Sequence, residues 1–140
     1  MKRLAALASV ALATLASIAL ATAAAGDPQS DYMLQCQGCH RADGSGFGES
    51  VPDLRDSVGR FLEVPGGRAF LVQVPGSAQS PLSDARLAGV LNWMIERFGP
   101  ARVAAGFEPY DAEEVATLRT PLLDVAAVRA RLLAGIAESP

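Results

Sequence analysis

The sequence is short of the residues that most often do chemistry. It holds one histidine, His40, two cysteines, one tryptophan and one lysine, Lys2. A structural zinc site takes four ligands and a catalytic one three plus water, so two cysteines and one histidine would need a carboxylate or water to complete either. Without a second histidine, no imidazole remains for acid–base catalysis beside one that serves as a ligand. Lysine is nearly absent and 15 acidic residues outnumber 12 basic ones. That balance excludes a nucleic-acid binder, which needs a basic face to displace counterions from phosphate. The chain is too polar for a multi-span membrane protein. Aromatics are only 6%, which leaves part of the core for something else to fill.

What the chain has in excess is apolar character, at 50% hydrophobic residues and a mean hydropathy of +0.23. Much of it is packed into the first 25 positions. Met1-Lys2-Arg3 is a basic head, Leu4 to Leu20 is apolar, and Ala21-Thr22-Ala23-Ala24-Ala25 ends in small residues. These are the three parts of a secretory signal peptide, with cleavage expected after Ala25 and a periplasmic or otherwise exported product. The run is too rich in Ala, Thr and Ser for a convincing permanent span. A retained anchor is the alternative, and the only route to a membrane. Residues 26–140 then form one domain of 115 residues. Its ten basic residues, all arginine, face 15 acids for a net charge near −5. A chain of that size supports a modest core.

The two cysteines fall in Cys36-Gln37-Gly38-Cys39-His40. In an exported chain they could close as a disulfide, or act as a redox pair of the thioredoxin kind, which expects a preceding strand. Residues 30–35 look instead like the start of a helix. The same five residues spell C-x-x-C-H, the covalent haem attachment pattern. Two thiols about one helical turn apart can each add across a haem vinyl group, and the next residue brings an imidazole under the iron. Export, a lone histidine and no other cysteine agree with this. One motif predicts one haem c, with Cys36 and Cys39 as thioether residues and His40 as proximal ligand.

Further along come a glycine-rich loop, Asp43-Gly44-Ser45-Gly46-Phe47-Gly48, and then Val51-Pro52-Asp53-Leu54 leading to Gly59-Arg60. Later, Leu82-Ser83-Asp84 opens a helical pattern that reaches Trp93-Met94. In these segments the chain resembles the class I c-type cytochromes, over residues 30–99. The resemblance implies an all-α, cytochrome c-like fold around one covalent haem; residues 100–140 lie outside it and read as an extension with additional helices. It also implies that the backbone carbonyl of Pro52 accepts the other ring proton of His40, setting its tautomer and basicity; the plain alternative is that Val51-Pro52 is a turn.

The later helices also read from the residues themselves. Ser83 suits an N-cap and Asp84 the positive end of a helix dipole. Leu87, Val90, Leu91, Met94, Ile95 and Phe98 form one apolar stripe, ended by Gly99-Pro100. Asp111-Ala112-Glu113-Glu114 starts a short helix reaching Arg119. Asp124 caps a last one with a stripe of Val125, Val128, Leu132, Leu133 and Ile136. The stretch Glu63–Ser80 reads as irregular, broken by Pro65-Gly66-Gly67 and Pro75-Gly76. Within it Phe70–Val74 could be a short extended piece lining the haem.

The family's distal methionine, usually supplied from the loop before the last helix, has no counterpart in residues 72–81. Outside the leader only Met33 and Met94 remain. Met33 lies on the proximal side. Met94 has two readings, core packing or the distal iron ligand. Tyr32, Tyr110 and the new amino terminus are further options, as is an open or water-filled position. Two functions follow. One is an electron carrier between an exported dehydrogenase and a terminal acceptor, its acidic surface suiting a basic partner patch. The other is a five-coordinate haem protein that binds a small gas or has weak peroxidase activity, where Gln73 or Gln79 could offer a hydrogen bond but no proton relay. The extension could thicken the core, cap the haem edge or dock a partner.

Overall fold

The computed structural model describes residues 26–48 and 50–138; the leader over residues 1–25 lies outside them. The described residues are helical. Their sole β feature is a single antiparallel bridge between Phe47 and Val51. In chain order the elements are α1 (Pro28–Gln35), a 3-10 helix (Val58–Glu63), α2 (Gly67–Gln73), α3 (Pro75–Ala78), α4 (Asp84–Phe98), α5 (Ala101–Ala104), α6 (Ala112–Leu118) and α7 (Val125–Glu138). Among them no helix is long and apolar enough to cross a membrane.

Helix α4 is the axis of the fold. The Ser83 hydroxyl accepts from the Arg86 N–H at its start, and Gly99 closes it. All six residues of its predicted stripe are buried, joined by Ala88. Helix α1 starts slightly earlier than its sequence pattern suggests, because Asp27 is the cap and Pro28 follows at the first helical position. It crosses α4 through an aromatic cluster. The Tyr32 ring lies 5.0 Å from Trp93 and 5.5 Å from Phe98. Beside it the buried Asp31 carboxylate pairs with Arg86. Removing one partner of such a pair is costly, since the other charge stays desolvated.

One expectation is corrected. Residues 70–74 are not an extended piece: 67–73 form α2 and 75–78 one further turn, α3. Phe70, Leu71 and Val72 are all buried, so no polar alternation marks a period, and a short apolar run alone does not separate strand from helix. Gly66, at φ +84°, reverses the chain into α2. Val74 before Pro75 is held extended, at φ −60° and ψ 146°, as proline demands of its predecessor. That single residue is the extended part.

The chain beyond residue 99 is bound into the body. Val115 of α6 is fully buried, as are Leu132 and Ile136 of α7. The expected companions Val125, Val128 and Leu133 are only half-buried. Asn92 of α4 fastens the approach to α6. Its side chain donates to the Tyr110 carbonyl at 2.9 Å and accepts from the Tyr110 N–H at 2.7 Å. Arg119, just past α6, donates to the carbonyls of Ala78 and Leu82 and to the Asp84 carboxylate. It thereby ties the extension to both α3 and the start of α4.

Candidate functional site

A cavity of about 400 Å³ opens between residues 35–58 on one wall and the 3-10 helix, α2, α3, α4 and α7 on the other. Cys36, Cys39, His40 and Pro52 all line the first wall, and Met94 lines the second. The structure therefore gathers every site residue singled out by sequence around one space.

The motif is placed by α1 and a tight turn. Helix α1 ends as the Cys36 N–H donates to the Tyr32 carbonyl. The N–H groups of Cys39 and His40 then both turn back to the Cys36 carbonyl, at 3.1 and 2.9 Å. This one-residue acceptor sets the two thiols and the imidazole on successive corners of a single turn. The Tyr32 hydroxyl, donating 2.7 Å to the Arg41 carbonyl, closes the motif from the far side. Both thiols are free, Cys36 half-buried and Cys39 exposed. Burial, aided by the nearby Asp31 and Cys39, pushes the Cys36 thiol up to about 11.

The glycine-rich loop follows, and at two of its glycines the backbone leaves no room for a side chain. Gly44 sits at φ +80° and a Cβ there would lie 2.7 Å from the Phe98 ring. At Gly46 it would lie 2.0 Å from the Val51 carbonyl. The loop returns through the Leu54 N–H, which donates 2.8 Å to the Gly44 carbonyl, and so carries Pro52 to the imidazole.

His40 is held below the ordinary histidine range by burial, opposed by the backbone of Pro52 and the carboxylate of Asp53. Pro52 is close enough to favour the protonated ring, yet Nδ1 is buried and closes no hydrogen bond. A buried ring nitrogen with no partner costs about 1–3 kcal/mol. With Nε2 facing a metal the ring proton resides on Nδ1, and the Pro52 backbone beside it is the acceptor at hand.

The second wall is apolar: Phe61, Phe70, Leu71, Val74, Leu91 and Val125 are among its members. Ser77 and Arg129 supply polar atoms there. Among the described residues Met94 is the only methionine on the cavity; Met33 is exposed on α1. The hydroxyls of Tyr32 and Tyr110 are spent on the backbone carbonyls of Arg41 and Arg68. Neither tyrosine lines the cavity, and neither Gln73 nor Gln79 does. The sequence put Val125 on the apolar stripe of the last helix but not at the site, and did not single out Arg129, although their four-residue spacing puts both on one helix face. Two thiols, an imidazole with an orphaned ring nitrogen and an apolar wall fit a covalently attached haem, and fit no zinc site. Among the described residues no cluster of three or more His, Cys, Asp or Glu is placed to hold a metal by itself.

No protein-family model matches the chain. It is similar to a cytochrome c-552 of Thermus thermophilus, 34% identical over 107 residues, covering 64% of this chain and 82% of that protein. A second cytochrome c-552 of the same species is also 34% identical over 107 residues, with 72% of its length covered. At 64% of 140 residues the match takes in about 90 of them, more than the stretch 30–99 whose motifs carry the resemblance. With those motifs, the helical fold and the cavity, the chain belongs to the class I c-type cytochromes, electron carriers that hold one covalent haem c.

Proposed function

We propose that the protein is an exported one-electron carrier working between an exported dehydrogenase and a terminal acceptor. Cys36 and Cys39 would hold the haem through thioether bonds, His40 would bind its iron, and the Pro52 carbonyl would accept the proton on His40 Nδ1. The bound haem supplies an iron that accepts and releases one electron. The chain's part is to hold it rigidly and keep water from it. The observation that carries this reading is the lining itself. The attachment triad meets an apolar wall that offers no second imidazole to serve as an acid–base group. A redox titration of the purified protein should follow a one-electron curve, and fractionation should find it outside the cytoplasm. Multi-electron turnover of a substrate by the isolated protein would refute the carrier.

A second reading, a five-coordinate haem that binds a small gas, is favoured by one observation. The α3 segment on the cavity, Val74-Pro75-Gly76-Ser77, carries neither sulfur nor imidazole. Met94 is the remaining candidate for the distal ligand, and it sits within the buried stripe of α4. Absorption spectra of the ferric and ferrous protein, with and without CO, separate the two. A methionine–iron charge-transfer band lost in Met94→Leu assigns the ligand. Rapid CO binding to a high-spin ferrous form, unchanged in that variant, leaves Met94 as packing and the distal position open.

A further inference from the structure

We propose that Arg129 of α7 is the cation that receives the haem's propionate carboxylates, which makes the C-terminal extension part of the cofactor site. The proposal rests on the haem c reading above.

Three observations carry it. The first is position. Val125, Arg129, Leu132 and Ile136 recur at steps of four, three and four, so they share one face of α7. Leu132 and Ile136 are buried on that face, and Val125 and Arg129 line the cavity. A charged residue thus occupies an inward position where the helix pattern calls for an apolar one.

The second is pairing. Among the described residues five arginines are half-buried: Arg60, Arg68, Arg86, Arg119 and Arg129. The first four each meet a carboxylate, from Glu63, Glu114, Asp31 and Asp84 respectively. Arg129 meets none among the described residues. A partly desolvated guanidinium without a carboxylate is an unfinished interaction, since its five donors are built for bidentate recognition of such a group.

The third is charge balance on the cavity. Among the described residues the lining holds one carboxylate, Asp53, and it is taken by Arg55. Arg129 is the only arginine among them. A haem keeps two propionate carboxylates after its vinyl groups have been consumed by thiols. Bringing them into a largely apolar cavity is expensive without a compensating cation, and the chain offers one. An arginine so placed can lay its stem along an apolar helix face while its head reaches the cavity.

The test is electrochemical and spectroscopic, on the purified holoprotein. A positive charge beside the haem favours the reduced state. Arg129→Met and Arg129→Gln should lower the midpoint potential and shift the propionate carboxylate bands in the redox-difference infrared spectrum. Arg129→Lys should restore part of both. Arg131→Met is the control, because it removes the same charge from an exposed site on the same helix. An unchanged potential and unchanged carboxylate bands in Arg129→Met overturn the proposal, as does an equal effect from Arg131→Met. Failure of the haem reading itself would show separately, as a wild-type protein without covalent haem after denaturing electrophoresis.

Discussion

The two walls of the cavity are built on opposite plans. The wall of residues 35–58 carries both cysteines and the histidine and almost no regular structure. Of its described lining residues only Val58, where the 3-10 helix begins, is buried. The facing wall carries the packing: Phe61, Phe70, Leu71, Leu91 and Met94 are all buried members of the core. The first is shaped by turns, by glycines pressed against Phe98 and Val51, and by a hydrogen bond from Tyr32. The second is shaped by helices whose apolar faces meet. Chemistry here is laid on the part of the chain least able to stabilise itself, and the cofactor is its missing core.

The most severe way to break that contrast is to remove the cofactor. Cys36→Ser/Cys39→Ser should abolish haem staining after denaturing electrophoresis and expose the amides of 36–58 to hydrogen exchange. Those of α4 should stay protected; equal loss of protection on both walls would show that they are one cooperative unit. Next is a cut on the helical side. Ile95 is fully buried, and Ile95→Ala should cost about 2–5 kcal/mol in denaturant unfolding while leaving the haem spectrum intact. Arg119→Ala should cost about 2 kcal/mol, since it strands the carbonyls of Ala78 and Leu82 and frees Asp84. A loss below about 0.5 kcal/mol would mean that the extension is held by its apolar contacts alone.

The mildest test joins the two walls. Burial pushes the Tyr32 hydroxyl up to about 12 and raises that of Tyr110 as well. Both groups therefore keep their protons longer when folded than when unfolded. The stability they contribute is complete below pH 10 and drains as the pH climbs through the folded value, for Tyr32 between 10 and 12. Melting temperatures should fall over that range, and Tyr32→Phe should flatten the decline. A decline of the same slope in Tyr32→Phe would remove this tyrosine from the account.

How much of this was legible in the sequence follows the same divide. The sequence could group Cys36, Cys39 and His40, which line one cavity, because the C-x-x-C-H spacing is fixed regardless of context. Helix α4 was readable because its stripe is long and its ends are capped by Ser83 and Gly99. Helix α2 was not, for seven residues with three adjacent apolar side chains show no period. Arg129 was missed for a different reason: a charged residue is read as facing solvent unless something buried needs it. The sequence alone could not show what that something was, since the cavity exists only when α7 lies against the 3-10 helix and α2.

The placement of α7 also has a consequence in time. The attachment thiols precede the whole facing wall in chain order, and Val125 and Arg129 come after every other residue that lines the cavity. During synthesis the motif emerges with no wall opposite it, and the cavity can close only after the last helix has been made. The haem's chemical anchors are ready long before its enclosure is.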